Sequence, residues 1–103
     1  MSSEHLLTIH GTVSIRERLA LAPGAVATVK LVDTTGEVLA AIALEAPRIP
    51  LEFALDVDPY FVGDASKLLI WAALRSDDGV WGTTELVPVD ATSTDVPLTR
   101  VDT

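Results

Sequence analysis

The chain contains no cysteine, so its chemistry has to come from histidine, carboxylates, hydroxyls, arginine and tryptophan. Disulfides, thiolate nucleophiles and sulfur-ligated metals are excluded together, although this does not fix the compartment. His5 and His10 are the only histidines. A zinc site needs three or four converging ligands, and no second histidine stands at i+2 or i+4 from His10 to share its face. A serine-hydrolase triad can be assembled on paper, but the nucleophile-elbow pattern Gly-x-Ser-x-Gly is absent. Asp56, Asp58 and Asp64 flank Pro59-Tyr60, and oxygen clusters of this kind can hold calcium. They lack the ligand-every-second-residue run closed by a glutamate, so a solvated acidic loop ending a strand is the expectation. The 15 acidic residues offer many carboxylate pairs, and no spacing selects one for glycoside chemistry. We therefore expect no catalytic residues, no cofactor and no metal, and read the chain as a non-enzyme.

Two other groups stand out. The stretch Ile15–Ala25, "IRERLALAPGA", carries Arg16, Glu17 and Arg18 inside an otherwise apolar run. Counting by twos puts Val13, Ile15, Glu17, Leu19 and Leu21 on one face. A buried carboxylate needs donors or a cation. Glu17 is thus expected near an end of the fold, bonded to amides of the Pro23-Gly24 loop or to an arginine. Arg16, Glu17 and Arg18 are then a structural charge cluster that pins a crossover, and a ligand-binding cluster is the alternative. The second group is Trp71 and Trp81. Leu69, Trp71, Ala73 and Arg75 share one face of their strand; Leu68, Ile70, Ala72 and Leu74 share the other. A three-residue Asp77-Asp78-Gly79 turn sets Trp81 opposite Arg75, within reach of a cation–π contact. A two-residue Asp78-Gly79 turn shifts that register by one. Leu69, Trp71, Ala73 and Trp81 are the candidate partner-binding face. The competing reading is Trp71 in the core among ordinary surface neighbours.

The elements that must position these residues follow from the totals. The 103 residues fit one domain, 1–103. Apolar residues make up 49% of the chain, rich enough that some apolar surface is expected to face a partner. Net charge is −8 with no basic tract, which argues against nucleic acid and anionic membrane surfaces as partners. The longest apolar runs, Val38–Leu44 and Leu68–Leu74, have seven residues each, so no membrane insertion is expected. The opening Met-Ser-Ser-Glu-His has no basic region followed by an apolar one. The expected location is cytoplasmic if the chain is native as it stands. It is the cell envelope if a targeting segment has been removed.

Strand patterns dominate. Leu7, Ile9, Gly11 and Val13 alternate with polar residues, as do Ala27, Val29 and Leu31. "DTTGE" supplies a turn with Gly36 at a positive φ. "EVLAAIALEA" has helical propensity, but too few residues precede Pro47 for a stable helix, and a strand apolar on both faces is expected. Ile49, Leu51, Phe53, Leu55 and Val57 alternate with Pro50, Glu52, Ala54 and Asp56 in a strand expected to lie at a sheet edge or to leave the Pro50 position unpaired. "YFVGDASK" reads as a loop or short helical turn, "KLLIWAALRS-DDG-VWGTTEL" as a hairpin, and "VPLTRV" as a last strand. The expected fold is all-β, an antiparallel β-sandwich of about seven strands, immunoglobulin-like or prealbumin-like.

The blocks "GTVSIRERLALAPGAVATVKLVD", "IPLEFALDVDP" and "LRSDDGVWGTTE", in this order and spacing, resemble the YbaY-type lipoprotein family, related to the YscW-type pilotins of type III secretion. The most specific element is Gly11-x-Val13-x-x-Arg16-Glu17-Arg18-x-x-Leu21-x-Pro23-Gly24-Ala25. The resemblance implies a compact antiparallel sandwich behind a signal peptide and lipid-modified cysteine. It also implies, for the pilotin type, binding a segment of a secretin and escorting it to the outer membrane. The expected function is thus a non-enzymatic interaction domain that takes an apolar polypeptide segment on a sheet face or along a strand edge. A structural homo-oligomer (a homodimer) is the alternative, and a small hydrolase a third reading.

Overall fold

A computed structural model describes residues 6–16, 23–90 and 92–101. Eight strands follow in chain order: β1 Leu7–Ile15, β2 Val26–Val32, β3 Val38–Glu45, β4 Leu51–Val57, β5 Leu69–Ser76, β6 Gly79–Gly82, β7 Val87–Pro88 and β8 Thr94–Arg100. Two 3-10 turns, Pro59–Phe61 and Ala65–Lys67, lie between β4 and β5, and the described residues contain no α-helix. The all-β class is therefore as expected.

The run with the most helical composition is a strand. β3 pairs with β2 from Val26↔Glu45 to Val32↔Val38, so pairing and burial of one face override an intrinsic preference worth tenths of a kcal/mol per residue. The hairpin turn is set by Asp33, whose Oδ1 accepts from the Thr35 hydroxyl (2.6 Å), the Thr35 amide (2.9 Å) and the Glu37 amide (3.0 Å). Gly36 takes a φ of 90°, where a side chain would be strained.

The ladders form one path, β3-β2-β5-β6-β8-β1-β4, with β7 alongside β5. Neighbours are antiparallel except β1 and β8, which run parallel from Gly11↔Thr94 to Ile15↔Leu98. This corrects the wholly antiparallel expectation. The physical reason is that β1 and β8 are far apart in the chain, so no hairpin obliges them to be antiparallel, and β8 enters beside β1 running in the same direction. β8 also pairs with β6 at Trp81↔Arg100 and Gly82↔Thr99, so a single strand joins both halves of the molecule. The result is a nearly closed barrel rather than two separate layers, with β3 and β4 as its unpaired ends among the described residues.

The interior is filled from alternate positions, as period-two patterning requires. Val13, Val29, Leu31, Ile70, Leu74, Trp81 and Val96 are fully buried, with Phe53 and Leu55 from β4 closing the far side. Phe53 and Gly11 face each other across β1 and β4. A Cβ on Gly11 would collide with the Phe53 ring and lie 2.5 Å from the Thr94 carbonyl oxygen. Gly11 is thus the gap into which the ring packs. Pro50 stands just before β4, which is an end strand of the path.

Candidate functional site

The outer face of the β3-β2-β5-β6 half is built from three cross-strand rows. Ala41, Lys30 and Trp71 form the first; Ala43, Thr28, Ala73 and Gly82 the second; Glu45, Val26, Arg75 and Val80 the third. The middle row holds only small side chains. It is the floor of a trough that crosses the strands, walled by Lys30 and Trp71 on one side and by Val26, Arg75 and Val80 on the other. A groove of about 510 Å³ lies there, lined by these residues with Thr28 and Ala73. The Lys30 ammonium sits 5.0 Å from the centroid of the Trp71 ring. That contact holds the half-buried indole as a wall, because ammonium and ring restrict each other's rotamers.

Of the proposed face, Trp71 and Ala73 are brought together in this trough, and Leu69 lies on the same face farther along β5, beside Val32 and Pro88. Trp81 is not with them. It is 1% exposed, in the core, and it faces Leu74 rather than Arg75. The hairpin pairs Ser76 with Gly79, so its loop is Asp77-Asp78 and the register differs by one residue from the three-residue turn weighed from sequence and by two from the Asp78-Gly79 turn. One step of slip exchanges the two faces of a strand. Gly79 opens β6 with a φ of 152°, and the Arg100 guanidinium lies over it: an added Cβ would be 2.8 Å from Nη2. Arg100 donates from Nη2 to the Asp78 carbonyl (2.8 Å), and its guanidinium lies 5.3 Å from the Trp81 ring centroid. The cations over the two indoles are therefore Lys30 and Arg100, not Arg75. Among the described residues, the Trp81 indole N–H has no hydrogen-bond partner.

Arg16 is exposed and lines a second groove, of about 590 Å³, between Thr84–Pro88 and Pro97–Arg100. Glu17 and Arg18, and with them the expected bonds to the Pro23-Gly24 loop, lie outside the described residues. The aspartates are engaged locally. Asp56 accepts from the Thr8 hydroxyl (2.7 Å), Asp58 from the Tyr60 amide (2.9 Å) and Asp64 from the Ser66 hydroxyl (2.6 Å). The Ser66 hydroxyl bond is the main reason the Asp64 carboxyl titrates below its ordinary range, with the Ser66 amide adding to it. His10 is exposed on the outer side of β1. No group of three or more metal-ligating side chains converges among the described residues. What the arrangement can do is hold a partner by shape, apolar contact and two flanking cations.

Residues 4–99 match the family described as type III secretion system lipoprotein chaperone, YscW. The chain belongs to the YscW family. It is 36% identical over 77 residues to the uncharacterized lipoprotein YbaY of Escherichia coli, a match spanning 68% of this chain and 40% of that protein. The chain thus covers well under half the length of that curated relative. A solved structure, an alternative pilotin from the type II secretion system of Vibrio cholerae, superposes with a TM-score of 0.77 at 28% identity. The superposition covers 95% of this chain and 99% of that one. A YscW-family fold therefore extends over nearly the whole molecule. The small-residue floor of the trough escaped sequence reading, because Ala43, Thr28, Ala73 and Gly82 become one row only when three registers are known together.

Proposed function

We propose that this YscW-family chain is a non-enzymatic binding module that holds an apolar segment of a secretion-system protein in the trough on its outer face. The observation that carries this reading is the small-residue row Ala43, Thr28, Ala73 and Gly82 beside the Trp71 wall. Small side chains let a partner backbone approach the sheet, and a rigid indole beside the floor offers a large apolar contact at low entropic cost. Lys30 and Arg75 at the rims favour a segment carrying carboxylates at its flanks. The pilotin relative supports a secretion-system partner, and the resemblance implies a secretin as its source. The lipoprotein relative supports a place in the cell envelope for the processed protein.

The test is a titration of overlapping synthetic peptides, covering the secretins encoded in the same genome, against the chain and its Trp71→Ala variant. One peptide is expected to bind saturably, and Trp71→Ala to weaken it by roughly tenfold or more, as loss of a central aromatic anchor does. Binding that is indifferent to Trp71, or no binding by any peptide, overturns the proposal.

A further inference from the structure

The two ends of the strand path are treated differently by the sequence. β4 is guarded: Pro50 precedes it, and Glu52 and Asp56 project from its outer face. Charges and proline at an edge block further pairing. β3 is less guarded, since Glu45 at its C-terminal end is its one charge and Val38–Leu44 carries no charged or proline residue. Leu39, Ala40, Ile42 and Leu44 pack against the core yet stay only partly buried.

The free backbone groups of β3 can be identified. The Ala46 amide donates to the Ala25 carbonyl (2.8 Å). Alternation in an antiparallel ladder then turns the N–H and C=O groups of Leu44, Ile42 and Ala40 toward β2. Those of Ala41, Ala43 and Glu45 turn outward. The same alternation puts the Ala72 groups toward β6, where its carbonyl accepts from Thr83 (3.0 Å). No described strand pairs with the outward groups.

We propose that β3 pairs antiparallel with β3 of a second copy of this chain, about a two-fold axis at Ile42. The argument for a second copy is self-complementarity. In this register Ala41 and Ala43′ face each other as a hydrogen-bonded pair, and their outward groups match. Ile42 meets Ile42′ on the inner face. Ala40 meets Leu44′ and Leu44 meets Ala40′, so each small side chain opposes a large one. Leu39 stands across from Glu45′, which keeps the acidic ends of the two strands apart. The neighbouring register, centred on Ala41, sets Glu37 against Glu45′ and is disfavoured. The pairing would cover the half-buried inner side chains of both copies and remove the exposed edge from each. It uses the backbone edge of β3, whose Ala41 and Ala43 also end two rows of the trough, so the dimer is read from sedimentation and crosslinking rather than from peptide binding.

The absence of native cysteine makes the register directly readable. Ile42→Cys places a thiol on the axis, at a non-hydrogen-bonded pair whose geometry suits a disulfide. Under mild oxidation Ile42→Cys is expected to form a covalent dimer at least about tenfold faster than Ala41→Cys or an edge control, Glu52→Cys, because only position 42 faces itself. Sedimentation of the uncrosslinked chain is expected to show a reversible dimer that strengthens with salt, since two copies of net charge −8 repel. Ala43→Pro removes an outward amide that no described strand pairs, so the fold is expected to persist while the dimer is lost. Ala41→Lys, judged by circular dichroism to be folded, is a second variant expected to abolish it. A chain monomeric at high concentration and salt, a dimer indifferent to both edge variants, or crosslinking favoured at Ala41→Cys overturns the proposal.

Discussion

Lys30 and Trp71 stand directly opposite each other on β2 and β5, with the ammonium 5.0 Å from the ring centroid on the outer face of the barrel. The pair makes one wall of the trough and belongs to the surface rather than to the core. A double-mutant cycle of Lys30→Ala and Trp71→Ala, followed by urea denaturation, is expected to give a coupling of about 0.5–1 kcal/mol. A coupling of zero would mean that the ammonium does not hold the ring.

Trp81 carries the opposite expectation. It is buried and capped by Arg100, so Trp81→Ala should cost about 3–5 kcal/mol. Trp81→Phe keeps the ring under the guanidinium and deletes an indole N–H that has no partner among the described residues. It should cost less than about 1.5 kcal/mol, because loss of an unpaired buried donor offsets part of the lost contact. Equal losses for the two variants, by denaturant midpoint, would show that the N–H is bonded after all.

Gly11 is expected to resist even the smallest enlargement. Gly11→Ala forces a Cβ against the Phe53 ring and the Thr94 carbonyl, and should destabilise by about 1–3 kcal/mol. Phe53→Leu in the same chain should recover only part of this, since the carbonyl is backbone and cannot withdraw. Full recovery would assign the whole effect to the ring.

Inward alternation on β1, β2, β4 and β5 was legible because period-two burial leaves a direct trace in residue type. β3 was legible by exclusion, since its Ala- and Leu-rich composition argues helix and only its length before Pro47 argues strand. The β5–β6 register was not legible. It depends on how Asp77, Asp78 and Gly79 are divided between loop and strand, which residue type alone leaves open between two- and three-residue turns. The one-residue difference from the three-residue turn puts Trp81 in the core rather than on the supposed binding face. The parallel β1–β8 pairing left no sequence signal either, because β8 alternates like any antiparallel strand. Of the four residues named from sequence, Trp71 and Ala73 therefore share the trough, Leu69 shares their outer face and Trp81 does not, and the small-residue row left no signal in residue type.

The β2–β3 turn should titrate through Asp33. The Thr35 hydroxyl bond, aided by the amides of Glu37, Thr35 and Gly36, holds its carboxyl below the ordinary value of 3.8 despite an opposing contribution from desolvation. A depressed folded value means that the contribution to stability is present above 3.8 and is lost as pH falls through the folded value. Carboxyl carbon shifts in an NMR titration are expected to place the Asp33 midpoint under 3.8, and Thr35→Ala to raise it. A midpoint at or above 3.8 in the unmutated chain would contradict the turn geometry.

The most direct test of where a partner binds is the map of backbone amide shifts on adding the best-binding secretin peptide. The trough account predicts that the largest changes fall on Val26, Thr28, Lys30, Trp71, Ala73 and Arg75, with Thr8, His10, Glu52 and Ala54 on the opposite outer face unmoved. Changes centred on that opposite face, with the Trp71 side chain unaffected, would contradict it.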